Sequence, residues 1–237
     1  MKLSNKKNFL IIGGLDGTGG AGILCDFKAA QFLKLNPYVI TTGTAIQSHT
    51  DFNGRFSVSI AEIQKALEMT FNTFEIEFVK IGMVGNLEIA NTIIDFLSLK
   101  NVKIILDTPL FTTSGFELQK ENVILAVNKK SFLTTPNLEE FNKIKNYNLR
   151  YPILVKSFKL GVDRLFYDHN NYQDFSSKPI KIQKNIRGTG CAYATAICSF
   201  LFLNYSLEKS IIKAKELIYN GILQNQKNES SNFLNFS

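Results

Sequence analysis

The feature that most constrains the fold of this chain is a regular alternation of short apolar runs with longer segments of helical spacing. Each apolar run is bounded by Gly, Pro or polar residues, which is typical of buried strands. The predicted strands are 9–12, 38–46, 77–81, 102–106, 132–133 and 153–155, and the predicted helices are 23–33, 60–74, 87–99, 117–127 and a short one from 137. Ser59 and Glu62 have the spacing of a capping box for the second helix. The alternation predicts parallel βαβ units and therefore an α/β fold.

The pattern changes after Lys156. Residues 163–168 and 172–175 predict a β-hairpin, and two helices follow it, one ending near Asn204 and one running from 206 to about 223. Residues 224–237 are polar and Asn-rich, which predicts a frayed tail. We see no repeat, linker or second core, so we expect a single domain over residues 1–237.

A Gly-rich turn, Gly188-Thr189-Gly190-Cys191, precedes a long run of small and apolar residues that predicts a buried helix. Unpaired N–H groups and the positive end of the helix dipole at such a terminus favour an anion such as phosphate. Cys191 lies in the predicted first turn, where we expect the pKa of a thiol to be lowered. Two interpretations stay open: a phosphoryl-transfer site with a cysteine base, and a Gly-capped core helix with a buried cysteine.

A second Gly-rich turn, residues 13–22, joins the first strand to the first helix. Its spacing at 17–22 satisfies G-x-G-x-x-G, but residues 27–50 contain no Asp or Glu to bind a ribose, and no Gly-Lys-Ser/Thr follows. The spacing therefore disfavours a dinucleotide site and a P-loop. Either the turn lets a small substrate approach the backbone, with Asp16 or Asp26 as polar handle, or it is a tight turn in which Asp16 bonds its own backbone.

Polar residues follow the predicted strands at the edge where ligands bind in an open parallel sheet. They are Gln47, Asp107, Glu140 and Lys156. Two carboxylates can hold Mg²⁺ through water together with phosphate oxygens, and a lysine can neutralise phosphate. Each residue alone is more often a solvated strand end, and their occurrence together beside an anion-binding turn is what favours a site.

Composition disfavours several other classes of function. The net charge is +7, but the lysines are scattered in pairs, which argues against nucleic acid and suits anionic small molecules. Three cysteines without paired spacing argue against a disulfide framework or a zinc site and for a reducing cytoplasm. No apolar stretch reaches the roughly 18 residues of a membrane-spanning helix, so we expect no membrane partner.

A series of motifs occurs in the order typical of one family. They are Gly13-Gly14-Leu15-Asp16 with Gly19-Gly20-Ala21-Gly22-Ile23 and Asp26, Thr44-Ala45-Ile46-Gln47, Lys80-Ile81-Gly82-Met83, Leu106-Asp107, Thr135-Pro136-Asn137-Leu138 with Glu140, Val155-Lys156 and Gly188-Thr189-Gly190-Cys191. From about Asn8 to Leu223 the chain resembles the bacterial hydroxymethylpyrimidine/phosphomethylpyrimidine kinases of thiamine biosynthesis, within the ribokinase-like superfamily. Cys191 in the last motif stands where most ribokinase-like enzymes carry Asp. This cysteine narrows the resemblance to the hydroxymethylpyrimidine/phosphomethylpyrimidine kinases or the similar pyridoxal kinases.

The resemblance implies a central, mostly parallel sheet flanked by helices on both faces, with a small hairpin before the last two helices, and a homodimer. It implies that ATP phosphorylates the hydroxymethyl group of 4-amino-5-hydroxymethyl-2-methylpyrimidine and then the resulting monophosphate. The implied aminopyrimidine site consists of Gln47 and Asp26 as polar contacts and of Gly14, Ala45 and Met83 as lining. The implied phosphoryl-transfer site consists of Gly188, Thr189 and Gly190 as cradle, Cys191 as base, Lys156 near the phosphates, and Asp107 and Glu140 organising Mg²⁺.

The chain departs from the family pattern on the expected nucleotide side. Ser157-Phe158-Lys159 stands where Gly-Gly-His is usual, and Arg187, which we also expect to bind phosphate, stands where His is usual. About a dozen residues separate Glu140 from the strand at 153, which shortens the crossover. Two alternatives stay open: a pyridoxal or pyridoxamine kinase, and a catalytically weak protein that holds the pyrimidine or its phosphate. Residues 111–115 are a candidate mobile loop over the site.

Overall fold

The computed structural model describes residues 7–47, 52–112, 115–178, 186–227 and 234, arranged around one nine-stranded sheet. The strands are β1 (Lys7–Asp16), β2 (Tyr38–Gln47), β3 (Phe52–Ser57), β4 (Glu75–Ile81), β5 (Lys103–Asp107), β6 (Leu133–Thr135), β7 (Ile153–Lys159), β8 (Val162–Phe166) and β9 (Tyr172–Ser176). The helices are α1 (Gly22–Phe32), α2 (Ile60–Thr73), α3 (Leu87–Ser98), α4 (Glu121–Asn128), α5 (Leu138–Ile144), α6 (Thr189–Phe202) and α7 (Leu207–Lys227).

The sheet has the order β3-β2-β1-β4-β5-β6-β7-β8-β9. Its strands from β2 to β7 in that order pair in parallel. Strand β3 on one side and the β8–β9 hairpin on the other pair antiparallel. This arrangement confirms the expected α/β fold with a mostly parallel sheet and a hairpin before the last two helices.

Two cores, one on each face of the sheet, follow from the alternation of side chains along its strands. Phe9 and Ile11 of β1 belong to the core built with α1, α6 and α7, whereas Leu10 and Ile12 belong to the core built with α2 to α5. Helix α6 is buried all round from Ala192 to Leu201, which explains its continuous run of small and apolar residues. Helices therefore cover both faces of the sheet. A ligand-binding site is expected at the carboxyl ends of the parallel strands, where open α/β sheets bind their ligands.

Side-chain caps that can be recognised in the sequence determine where two of the helices begin. Ser59 and Glu62 form the expected capping box of α2, and Asn137 and Glu140 form a second one at α5. Helix α5 has seven residues, so the crossover from β6 to β7 is short, as its spacing in the sequence indicated.

Other boundaries differ from the sequence-based expectation. Strand β3 was not predicted, because its Asn- and Gly-containing sequence has low strand propensity. It nevertheless pairs antiparallel with β2, the strand that precedes it in the chain. Strand β7 continues past Lys156 to Lys159 through a bulge, since it gains an antiparallel partner in β8. Helix α7 ends at Lys227, four residues beyond the predicted end.

Several expectations lie outside the described residues. They concern Thr113 and Ser114 of the candidate mobile loop and most of the tail after Lys227. Leu234 is described, and it is buried with its N–H 3.4 Å from the carbonyl oxygen of Arg187. Among the helices that the structure describes, none has the length and apolar character to cross a membrane.

Candidate active site

A cavity of about 710 Å³ lies at the carboxyl ends of the parallel strands. Every site residue expected from the sequence lines it. These residues are Gly14, Asp26, Ala45, Gln47, Met83, Asp107, Glu140, Lys156, Arg187, Gly188, Thr189, Gly190 and Cys191. The fold thus gathers groups from four strands (β1, β2, β5 and β7) and three helices (α1, α5 and α6) around one space, as open α/β sheets do at this edge.

A chain of alternating charges crosses the floor of the cavity. Lys80 Nζ lies 2.7 Å from Asp26 Oδ2 and 3.8 Å from Asp107 Oδ2, and Lys156 Nζ donates to Asp107 Oδ1 at 2.8 Å. Thr195 Oγ1 donates a hydrogen bond to the other oxygen of Asp26, Oδ1, at 2.7 Å. Both oxygens of Asp26 are therefore engaged by the protein itself. The sequence analysis included Lys80 in a family motif but gave it no role in the site, although a lysine between Val79 and Ile81 of a buried strand was a usable signal.

The turn before α6 is built for close backbone approach. Gly188 has φ +82°, and a Cβ there would lie 2.3 Å from the carbonyl oxygen of Gly20 and 2.8 Å from Cys25 Sγ. A Cβ on Gly190 would lie 3.3 Å from Lys156 Nζ, so the ammonium group lies directly against the turn. The N–H groups of the first turn of α6 have no carbonyl partner within the helix. Together with Lys156 they form an electropositive cradle.

The ionisation state of this region is set by burial and by the charge chain. Burial would raise the pKa of Asp107, but Lys156, Lys80 and a hydrogen bond from Cys191 together lower it to about 2. Burial, and next the charge of Asp107, raise the pKa of the Cys191 thiol well above its ordinary value. The expected lowering of this pKa is therefore wrong for the unliganded protein: desolvation and a neighbouring carboxylate outweigh the helix terminus. Cys191 is a protonated thiol at neutral pH, and it is partly exposed to the cavity.

Glu140 lies on the same cavity, held by two structural contacts. Its Oε2 accepts hydrogen bonds from the backbone N–H of Asn137 and from Thr108 Oγ1, each at 2.8 Å. Burial raises the pKa of this carboxyl group, and the nearby charge of Lys156 opposes that rise. Glu140 thus combines a helix-capping role with a position beside Asp107 and Lys156.

The other wall of the cavity is partly apolar, with Gly14, Ala45 and Met83 among its residues. A Cβ on Gly14 would lie 2.2 Å from Met83 Cε, so the glycine makes room for the methionine. Ala45 of β2 is in register with Asp16 at the end of β1. Arg187 Nη2 lies 3.4 Å from Gln47 Oε1 and 4.0 Å from Asp16 Oδ2. Arg187, which we expected among the phosphate-binding residues, therefore has its guanidinium beside Gln47, one of the residues expected to bind the pyrimidine.

A second buried cluster, which sequence reasoning also missed, joins β7, β8, α6 and α7. Asp163 accepts hydrogen bonds from the backbone N–H of Ser157, from Tyr193 Oη and from Lys215 Nζ at 2.7–2.8 Å. Ser157 has φ +51°, which a residue other than glycine rarely adopts. The cluster lines the cavity and fixes the backbone that follows Lys156.

Known proteins are similar in sequence to this chain over most of its length. A bifunctional thiamine biosynthesis protein from Methanocaldococcus jannaschii is 32% identical over 93% of this chain, which spans about half (54%) of that relative's length. A hydroxymethylpyrimidine/phosphomethylpyrimidine kinase from Aquifex aeolicus is 29% identical, with 92% of this chain and 95% of the relative covered.

Solved structures give the same result. The crystal structure of a phosphomethylpyrimidine kinase from Clostridium difficile superposes with a TM-score of 0.77 at 25% identity, covering 92% of this chain and all of the other. An ADP complex of Bacillus subtilis pyridoxal kinase superposes with a TM-score of 0.75 at 21% identity, covering 92% of each chain, which shows the shared fold alone. The sequence family described as phosphomethylpyrimidine kinase matches residues 16–152 and 151–233. The chain belongs to the phosphomethylpyrimidine kinase family.

Proposed function

We propose that this chain uses ATP to phosphorylate the hydroxymethyl group of 4-amino-5-hydroxymethyl-2-methylpyrimidine and then the resulting monophosphate. The observation that carries the proposal is the single cavity in which the glycine turn with Cys191, the Lys156–Asp107 pair and the Gly14–Met83 wall come together. Membership of the phosphomethylpyrimidine kinase family supports the same reaction.

The roles of the residues follow from the demands of phosphoryl transfer, which are mainly positioning and charge stabilisation. The first-turn N–H groups of α6 and the ammonium of Lys156 receive the transferring phosphoryl group and its negative charge. The wall formed by Gly14, Ala45 and Met83 holds the flat pyrimidine ring, with the methionine thioether suited to contact with an aromatic face. The substrate hydroxymethyl group then points toward Cys191.

Cys191 takes the hydroxyl proton. It is the one described cysteine that lines the cavity, whereas Cys25 and Cys198 are buried. Because its pKa is raised, only a small fraction is thiolate at neutral pH, and that thiolate is a correspondingly strong proton acceptor. A primary alcohol is a weak acid, so its proton is removed best by a strong base such as this thiolate. A raised thiol pKa is therefore compatible with Cys191 acting as the base, although only a small fraction of the protein carries the thiolate.

The donor set fits a magnesium ion delivered with the nucleotide. Among the described residues there is no group of three or more metal-binding side chains. Mg²⁺ commonly uses only one or two protein carboxylates, with water and phosphate oxygens as the other ligands. Asp107 and Glu140 would supply those carboxylates, and the ion would neutralise charge that develops on the phosphate oxygens.

The test is turnover by the purified full chain with ATP-Mg²⁺ and either hydroxymethylpyrimidine or pyridoxal. Pyrimidine mono- and diphosphate should appear, and Cys191→Ala should lower kcat at least a hundredfold while leaving pyrimidine affinity within about threefold. Cys198→Ala, which alters a buried thiol of the same helix, is the matched control and should keep wild-type turnover. Product from pyridoxal alone would favour the pyridoxal kinase alternative, and binding of the pyrimidine without any product would favour a binding protein.

We also propose that residues 1–237 form one kinase domain that associates as a homodimer. One continuous sheet with a core on each face supports the single domain. Sedimentation equilibrium would measure the mass in solution, where a monomer of 26.7 kDa at micromolar concentration would refute the dimer.

A further inference from the structure

One carboxylate oxygen in the cavity has no hydrogen-bond partner in the described structure. Asp16 is 3% exposed and lines the cavity. Its Oδ1 accepts hydrogen bonds from the backbone N–H of Thr18 at 2.9 Å and from Thr18 Oγ1 at 2.7 Å. Its Oδ2 is buried and accepts none. A buried carboxylate oxygen left unsatisfied is costly, so its presence in a cavity points to a donor that arrives with the ligand.

The guanidinium of Arg187 lies near both this oxygen and the side-chain amide of Gln47. Gln47 Oε1 faces Arg187 Nη2 at 3.4 Å, and the same guanidinium nitrogen lies 4.0 Å from Asp16 Oδ2. Because the carbonyl oxygen of Gln47 faces a donor, its Nε2 is the atom that remains to donate. An acceptor, Asp16 Oδ2, and a donor, Gln47 Nε2, therefore belong to two cavity-lining residues that share the Arg187 guanidinium as a neighbour.

Asp26 does not offer the same opportunity. Its Oδ1 is bonded to Thr195 and its Oδ2 is bonded to Lys80, both at 2.7 Å, and the residue is 1% exposed. A ligand would have to compete with a buried ammonium and a hydroxyl for these oxygens. Of the two aspartates near the Gly-rich turn of residues 13–22, Asp16 is the one with an oxygen that accepts no hydrogen bond.

We propose that Asp16 is a specificity-determining residue: its Oδ2 accepts a hydrogen bond from the exocyclic amino group of the pyrimidine, while Gln47 Nε2 donates to the adjacent ring nitrogen. This inference rests on the proposed pyrimidine substrate. The amino and ring-nitrogen edge of a 4-aminopyrimidine has a donor next to an acceptor, which is the complement of Asp16 and Gln47. Selection arises because a ligand without the amino group leaves the buried Asp16 oxygen unsatisfied.

The experiment is calorimetric titration of the full chain with hydroxymethylpyrimidine and with its 4-deamino analogue. The wild-type chain should bind the amino compound about 10- to 100-fold more tightly, the usual range for a hydrogen bond to a charged group. Asp16→Asn keeps an oxygen for Thr18 but turns a donor toward the cavity, so this preference should fall to threefold or less. Thr18→Val is the matched control, since it removes a bond to Oδ1 and leaves Oδ2 as it is, and it should keep the wild-type preference.

Retention of the preference by Asp16→Asn would overturn the inference. Its equal loss in Thr18→Val would do the same, because Asp16 would then act only through the turn. Failure of the proposed function is distinguishable: a wild-type chain that prefers the amino compound but makes no phosphorylated product retains the specificity role and loses the kinase reaction. Binding of neither compound by the wild-type chain would overturn both.

Discussion

Replacement of Lys80 by methionine tests the charge chain on the cavity floor most directly. Lys80 is completely buried, and its ammonium is the partner of Asp26 Oδ2 at 2.7 Å and a neighbour of Asp107 Oδ2 at 3.8 Å. The methionine side chain has similar length and no charge, so Lys80→Met leaves Asp26 buried with Thr195 as its only direct partner. Removing one member of a buried ion pair costs about 3–5 kcal/mol, against a total stability of about 5–15 kcal/mol for a typical domain.

The pH dependence of this loss has a definite sign. Burial already raises the pKa of Asp26, and the charge of Lys80 is the largest opposing effect. Without Lys80 the native pKa of Asp26 rises further, so above its unfolded pKa the native state binds a proton that the unfolded state does not. Stability of the variant should therefore fall as pH rises through this window, by at most about 1.4 kcal/mol per pH unit. The deficit relative to wild type should be larger at pH 7.5 than at pH 5.5.

Urea unfolding followed by circular dichroism at both pH values would measure the effect. Asp26→Asn in the Lys80→Met background removes the unpaired carboxylate, so the double variant should recover about half of the lost stability or more. Thr195→Val, which removes one hydrogen bond and no charge, is the comparison and should cost about 1.5–3 kcal/mol. A loss below 1 kcal/mol in Lys80→Met, or strict additivity in the double variant, would refute the assignment of Lys80 as the essential counter-ion of Asp26.

Three further predictions concern the turn before α6, the start of α2 and the cavity thiol. Gly188→Ala should lower the free energy of unfolding by about 1–3 kcal/mol and abolish most turnover, because φ is +82° and the new Cβ would lie 2.3 Å from the carbonyl oxygen of Gly20. Gly17→Ala is the control: its Cβ would meet nothing within 4 Å, so it should change neither urea unfolding nor kinase activity appreciably. Ser59→Ala should cost about 0.5–2 kcal/mol through loss of its capping box without a change in kcat, and an unchanged unfolding midpoint would contradict it. Alkylation of Cys191 by iodoacetamide in the metal-free, unliganded protein should be slow at pH 7.5, and its rate should still increase with pH above pH 9. The reason is that only the thiolate reacts, and burial beside Asp107 raises the pKa of the thiol. A rate that reaches a plateau at or below pH 8 would show that the thiol pKa is not raised.

The sequence by itself determined most of the helices and parallel strands and the order of the site motifs. Apolar runs and helical spacing encode burial along a single segment, so the parallel strands and their crossover helices were readable without tertiary information. Capping is equally local, since Ser59 and Glu62 are three residues apart, and both sides of that box formed as expected. Strand-end residues such as Asp107 and Lys156 were readable because parallel topology brings carboxyl ends to one edge.

Only the tertiary structure decided the electrostatic partnerships. Asp26 and Lys80 are 54 residues apart and Arg187 and Gln47 are 140 apart, so no local pattern pairs them. The pKa of Cys191 shows the same limit: its position at a helix start predicted a lowered value, but desolvation and Asp107 raise it. Strand propensity, capping and turn chemistry act between residues close in sequence. Desolvation and charge pairing depend on which distant side chains the fold buries together, and for that reason they emerge only when the chain is folded.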